Sequence, residues 1–202
     1  MTDRVRTFTK FHFTLIAIVL CALIGVSQYN GLVHQQEAVK LHWGQVETQY
    51  ERRLALIPNL VNTVKGYAKH ERETFLAVTQ ARQHASDAQR ALGSTHNSKT
   101  IKAFSDAQQQ LTAAMGKLMV VVERYPTLKA NENFLMLQNQ LEGTENRIAV
   151  ERKRYNDAVG IFNAHIRQFP TNLIARFVGT FEPEHYFKAQ ATAATVPVVD
   201  FS

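Results

Sequence analysis

The groups in this sequence best placed to do chemistry are two carboxylates and a set of guanidiniums. Glu71 and Glu145 fall on apolar helical seams, and Arg53, Arg147 and Arg152 sit within reach of one or the other by helical spacing. A seam carboxylate could serve as a general acid or base if burial moved its pKa. Beside a guanidinium it serves more simply in a buried ion-pair network that fixes helix register. The 8 histidines are His12, His34, His42, His70, His84, His96, His165 and His185, and none stands four residues from another with an acidic partner. HExxH is missing, so no metal is expected, and the histidines read as solvated helix-face residues. Glycine-rich phosphate loops and a GxSxG elbow are also missing, and no cofactor is expected. The cluster Arg147, Arg152, Lys153 and Arg154 is interleaved with Glu145, Glu151 and Asp157 and has no aromatic stacking platform, which argues against nucleic acid. The single cysteine, Cys21, lies in the most apolar run and can build neither a disulfide framework nor a zinc site.

These groups ride on long helices. Phe134, Leu141, Ile148, Tyr155, Phe162 and Phe169 repeat every seven residues, with Asn131, Gln138, Glu145, Arg152, Val159 and Ile166 three positions before them. At 1.5 Å per residue this helix is about 54 Å long, and with one apolar stripe it needs partner helices. An earlier seam runs through Trp43, Tyr50, Ile57, Val64, Glu71 and Val78, paralleled by Val39, Val46, Arg53, Leu60 and Tyr67. Pro58 interrupts it: the proline cannot donate to the carbonyl of Leu54, so a bend is expected there, with Asn59 and Asn62 near enough to satisfy freed backbone groups. Only 5 prolines and 9 glycines among 202 residues agree with long uninterrupted elements. The net charge of +6 suits an anionic membrane face or nucleic acid equally well and decides nothing alone.

The stretch FTKFHFTLIAIVLCALIGV at residues 8–26 matches the hydrocarbon thickness of a bilayer. Arg4, Arg6 and Lys10 flank its start, and no Lys or Arg follows until Lys40, which places the N-terminus in the cytoplasm and the rest beyond the membrane. The rival reading is a cleaved signal peptide, since Gly25 and Ser27 are small enough for a cleavage site. Against it, helical periodicity continues from Tyr29 through Leu32, Val33 and Val39 without a strong breaker. A lipoprotein site is disfavoured by Ile18, Val19 and Leu20 before Cys21.

The first arm is expected to run to Leu92 and stop at Gly93, with Asn97 or Ser98 capping a second helix that ends before Pro126. Thr127 is the expected cap of the long helix. The architecture is therefore all-α: an N-terminal transmembrane helix, then an antiparallel bundle of three long helices plus a short C-terminal helix. In residue terms, 1–7 is a cytoplasmic N-terminus, 8–28 the transmembrane helix, and 29–187 an extracytoplasmic bundle. Its helices are expected at 29–92 (kinked at 58), 98–125, 128–169 and 172–179, followed by a flexible tail at 188–202. Leu173, Ile174, Phe177, Val178, Phe181, Tyr186 and Phe187 are expected to clasp one end of the bundle, the alternative being an aromatic patch that docks a subunit or lipid.

Several of these stretches together resemble the LemA family of bacterial membrane-anchored proteins. They are YNGLV at 29–33, RRLALIPNLVNTVKGYAKHE at 52–71, ERYPTLKANENF at 123–134, LEGTENRIAVERKRYNDAV at 141–159, and Phe169, Pro170 and Asn172. Ala55 departs from the family pattern, which usually has an acidic residue there. The resemblance implies one membrane helix, a cytoplasmic N-terminus, a helical bundle outside the inner membrane and no established enzymatic activity. Relatives in magnetosome-forming bacteria are associated with membrane organelle formation, an analogy for scaffolding.

The expected function is thus a non-enzymatic, inner-membrane, single-pass protein whose periplasmic bundle self-associates as a scaffold, contacting membrane lipid and other copies of itself. The alternative is an adaptor or sensor subunit for a protein partner or ligand. The residues expected to carry structure and contact are Trp43, Tyr50, Arg53, Pro58, Glu145, Arg152, Tyr155 and Phe177. The motive for self-association is the Trp43 and Tyr50 stripe, which three helices of unequal length would leave partly open.

Overall fold

The structure, a computed structural model, describes residues 2–94 and 97–187, with side chains described over 12–93 and 97–187. The tail expected at 188–202 and the flanking charges at Arg4, Arg6 and Lys10 lie outside the residues whose side chains are described. All regular elements among the described residues are helices: α1 (Thr2–Tyr67), α2 (Arg72–Ser94), α3 (Ser98–Val122), α4 (Pro126–Lys129), α5 (Glu132–Arg167) and α6 (Thr171–Val178). The all-α expectation holds. Among the described residues two compact units divide them, one formed by residues 2–42 with Tyr155–Glu184, the other by Trp43–Arg154 with residues 185–187.

In the second unit, cross-helix contacts fix the direction of each element. Arg82 of α2 reaches Leu54 of α1, while Phe104 lies against Trp43 and Tyr50, and Tyr125, after α3, reaches Glu71, after α1. Asn131 meets Tyr67, and Glu145 of α5 meets Arg53. Hence α1 and α3 point one way, and α2 and α5 the other. This is an up-down-up-down arrangement of four helical segments joined by short connections. Leu54, Ile57, Leu60 and Val64 of α1, Phe75 and Val78 of α2, Leu111 and Leu118 of α3, and Phe134 and Leu141 of α5 fill its core.

The segment expected as one helix over 29–92 is divided, and the break is not at Pro58. Helix α1 runs through Pro58 and ends at Tyr67, and residues 68–71 separate it from α2. At Pro58 one backbone bond is supplied from outside the helix. Pro58 has no N–H for the carbonyl of Leu54, and that carbonyl instead accepts from the half-buried Arg82 Nε at 2.8 Å. Asn59 does not serve it; the Asn59 carbonyl accepts from the Thr63 hydroxyl. Asn97 caps α3 with a reciprocal bond to Thr100, as expected. Thr127, however, falls inside α4, and Asn131 caps α5 by accepting from the Phe134 amide at 3.0 Å.

In the first unit, Leu32 and Val39 of α1 are buried, as are Tyr155, Val159, Phe162 and Ile166 of α5. His165 is no solvated histidine: its ring nitrogens face the side-chain oxygens of Gln35 at 2.8 Å and Gln28 at 3.2 Å. The Thr171 hydroxyl donates to the same Gln28 oxygen at 2.7 Å. Gly179, at φ +69, ends α6 in the left-handed region that glycine adopts without penalty. Beyond it, the Asn163 amide grips Glu184 from both sides, donating to its carbonyl at 2.9 Å and accepting from its N–H at 2.8 Å. Phe181 packs edge-on against Tyr29 at 5.6 Å.

The Arg82 bond generates a double-mutant test. Arg82→Met should destabilise the protein by about 1–2 kcal/mol, because it strips a charged donor from a carbonyl that Pro58 cannot serve. In a Pro58→Ala background the new alanine N–H can serve that carbonyl, so the same substitution should cost clearly less. Thermal unfolding in mild detergent, followed by circular dichroism, measures both; equal costs in the two backgrounds would show that Arg82 does not replace the proline's missing bond.

Candidate functional site

The polar groups singled out from the sequence meet in the second unit. Arg53 and Tyr50 lie one helical turn apart on α1, and both turn inward because the seam Val46, Tyr50, Arg53, Leu54, Ile57 faces the other helices. Arg53 is 5% exposed at its side chain, and its Nε lies 2.8 Å from Glu145 Oε1 of α5. Its remaining nitrogens donate to Gln108 Oε1 at 3.3 Å and to the Thr112 hydroxyl at 2.7 Å, both on α3. One guanidinium thus links three helices. Gln108 Nε2, also buried, has no hydrogen-bond partner.

Arg152 adds a second guanidinium. It hydrogen-bonds the Tyr50 phenol and lies over the Phe187 ring, 4.9 Å from its centroid, a cation–π geometry. Phe187 in turn stacks on Trp43 at 5.4 Å with 17° between the planes, and Phe104 meets Tyr50 edge-on at 4.8 Å. Burial pushes the Tyr50 phenol above its ordinary pKa although Arg152 and Arg53 pull the other way. Trp43, Tyr50, Phe104 and Phe187 are all buried, so the rings and the guanidiniums enclose one another.

This closure corrects the expectation of a partly open stripe. Trp43 is covered by Phe104 of α3 and by Phe187, and Tyr50 by Phe104. The column taken as the second seam of α5 holds at Val159 and Ile166, which are buried, but is displaced in the first half of the helix. Gln138 and Glu145 are exposed, while Leu137 and Thr144, three positions after the Phe134 and Leu141 rows, are the buried ones. Glu145 is therefore reached at the rim by Arg53 and remains 45% open to solvent. Glu71 is paired too, 2.9 Å from Arg124 and accepting from the Tyr125 hydroxyl at 3.3 Å.

Trp43, Tyr50, Arg53, Glu145 and Arg152 thus come together, whereas Pro58, Tyr155 and Phe177 stand elsewhere. Tyr155 belongs to the core of the first unit, where burial, with Glu184 adding to it, drives its phenol well above the ordinary value. Phe177, expected within the clasp, is 93% exposed; Phe181 and Phe187 are the clasp residues that become buried. Gln108, Thr112 and Phe104 were not among the residues singled out as a site. Their signal was a polar residue, Gln108, on the α3 seam between Phe104 and Leu111, which calls for a polar mate on a facing seam. Among the described residues no three of His, Cys, Asp and Glu come together in a way that could hold a metal ion.

The arrangement spans the motif-rich part of the chain, and residues 42–201 match the model of the LemA family. The chain belongs to the LemA family. It is similar to magnetosome protein MamQ 2 of Paramagnetospirillum magneticum, 26% identical over 202 aligned positions covering 92% of this chain and 74% of that protein. MamQ of Magnetospirillum gryphiswaldense is 25% identical over a span covering 92% of this chain and 72% of its own length. Protein LemA of Metamycoplasma hominis is 26% identical over 170 positions, 83% of this chain and 74% of that one. In this LemA family member, Arg53 and Glu145 both lie within the matched span.

Two predictions follow from the charges. Glu145→Ala leaves Arg53 buried without its carboxylate and should cost about 1–2 kcal/mol, less than a fully enclosed pair because Glu145 is half open to water. Arg53→Met added to it removes the stranded charge, so the double variant should melt above the single one; a double variant no more stable than Glu145→Ala would refute the pairing. The tyrosines set an alkaline limit. Since the native phenol of Tyr155 ionises above the unfolded value near 10, its contribution is intact below about pH 10 and is lost as pH rises, because the unfolded chain then binds fewer protons. Tyr155→Phe should flatten the fall of melting temperature between about pH 9.5 and 11 relative to the parent.

Proposed function

We propose that this LemA family member is a non-enzymatic, single-pass inner-membrane protein with a cytoplasmic N-terminus, whose helical bundle lies in the periplasm and works by contact, self-associating as a membrane scaffold. The observation that carries the reading is the first part of α1. Phe13, Ile16, Ile18, Leu20, Leu23 and Val26 are exposed on every side of the helix, and α1 is long and apolar enough to cross a membrane. No helix in water keeps such a surface uncovered, whereas hydrocarbon covers it at no cost. The absence of Lys and Arg between Lys10 and Lys40 supports the orientation. Closure of the ring and guanidinium cluster supports contact over turnover, since Arg53 is engaged with Glu145 and Thr112, and Arg152 with Tyr50 and the Phe187 ring. The resemblance to proteins named for magnetosomes supports a part in membrane organisation. Because Trp43 and Tyr50 are buried, self-association would use other surfaces.

The adaptor reading is favoured by one feature. At the turn between α1 and α2, Lys65, Lys69 and Arg72 line an open recess of about 490 Å³ with Phe75, Leu76 and Thr79, and Lys65 lies 5.5 Å from the Phe75 ring centroid. Three cations beside an apolar floor suit an acidic ligand or peptide.

Alkaline phosphatase fused to the C-terminus should be active, and a green fluorescent protein fusion at the same place dark. The reverse pattern would put the bundle in the cytoplasm. Mass photometry of the full chain in mild detergent should show particles larger than one chain at all working concentrations. A strict monomer, with salt-sensitive binding of an acidic peptide that the K65E/K69E/R72E variant loses, would favour the adaptor instead.

A further inference from the structure

Helix α6 carries more apolar surface than the protein covers. Thr171 and Ala175 face inward and are buried, whereas Leu173 and Phe177, one turn apart, point outward. Phe169 precedes them at the same spacing and is 79% exposed. Asn172 and Arg176 fall on the other exposed flank. The element therefore has three faces, one against the protein, one polar and one apolar without a protein neighbour. A helix of that kind, with an aromatic on its open apolar face, suits the boundary between headgroups and acyl chains.

Its position gives that face an occupant. Ala22, Gly25 and Val26 of α1 line an almost wholly apolar recess of about 590 Å³ together with Leu173, Phe177 and Val178 of α6. The outward side of α6 is thus continuous with the C-terminal end of the apolar stretch proposed to span the bilayer. Immediately beyond that end the chemistry turns polar. Gln28 binds the Thr171 hydroxyl and faces the His165 ring, and Tyr29, a residue type common at membrane interfaces, packs on Phe181. The change from apolar to polar therefore occurs at the same height on α1 and α6.

We infer that α6 is a second membrane contact. Leu173 and Phe177 enter the leaflet from which the Val26 end of α1 emerges, and a lipid acyl chain occupies the recess between the two helices. This rests on the membrane-spanning reading of α1. The consequence is a fixed seating: a single helix is free to spin and tilt in a bilayer, but one braced by a lateral apolar helix presents one side of the first unit to the lipid.

Because α1 alone would hold the protein in the membrane, depth is measured in place of partitioning. The full chain is reconstituted in vesicles of phosphatidylethanolamine and phosphatidylglycerol with and without brominated acyl chains, carrying Phe177→Trp, Ile18→Trp or Val120→Trp. The parent protein, whose one tryptophan, Trp43, is buried, gives the background. Phe177→Trp and Ile18→Trp should both be quenched several-fold by the brominated lipid, and Val120→Trp should not. Quenching of Ile18→Trp with Phe177→Trp no different from Val120→Trp would overturn the inference while leaving the anchor intact. Loss of quenching at Ile18→Trp as well would overturn the anchor and the inference together. If Phe177→Trp stays unquenched and Phe177→Asp converts a larger particle to a single chain, the open face belongs to a second copy and the lipid assignment is wrong.

Discussion

Arg53 places a permanent positive charge among apolar side chains, and the register of the four-segment unit follows from the need to satisfy it. A buried guanidinium without partners is costly, so α3 must bring Gln108 and Thr112, and α5 must bring Glu145, to one level of α1. A shift of one turn along any of these helices would strand the charge. Apolar rows such as Leu54, Ile57, Leu60 and Val64 accept several registers almost equally, since one aliphatic side chain resembles another. The ion and its hydrogen bonds select among them, much as a single polar residue sets register in a coiled coil. Above this level Arg152 repeats the device, holding Tyr50 with its hydrogen-bonding edge and Phe187 with its face.

Much of this was legible in the sequence because helical periodicity is local. The α1 seam through Val39, Trp43, Val46, Tyr50, Arg53 and Ile57 was read correctly, and the pairing of a seam arginine with Glu145 followed from charge and spacing. What escaped depended on distant residues. Pro58 has an obvious local effect, the loss of one hydrogen bond, and local reasoning places a bend there. The donor that serves the Leu54 carbonyl in its place, Arg82, lies 24 residues from Pro58 on another element, and no periodicity announces it. Likewise the side of Phe134 on which the second buried row falls, Leu137 or Asn131, depends on where α1 and α3 pack. For the segment after Pro170 the sequence leaves a clasp and an exposed aromatic patch as alternatives, because all its aromatics look alike in sequence. The burial of Phe181 and the exposure of Phe177 are set by α6 turning one face inward and by Gly179 redirecting the chain.

Membership of the LemA family rests on a match across residues 42–201, and the geometry gives that span a physical meaning. The stretches around Arg53 and Glu145 are the two halves of an ion pair, the stretch ending at Phe134 contains the Asn131 cap of α5, and Pro58 and Leu54 sit together in one of the shared segments. These residues maintain a shape. The apolar part of α1 lies outside the matched span.

The bond from Arg82 to the Leu54 carbonyl has a consequence for how the molecule breathes. An ordinary helix owns all its internal bonds and can fray or re-form independently of its neighbours. Here one rung of α1 is owned by α2, so the turn around Pro58 is complete only while α2 is docked. Amides on either side of the proline should therefore exchange with solvent in step with the detachment of α2, making the two helices a single opening unit in place of two. A proline that looks like a flaw in one helix thereby ties the lifetimes of two.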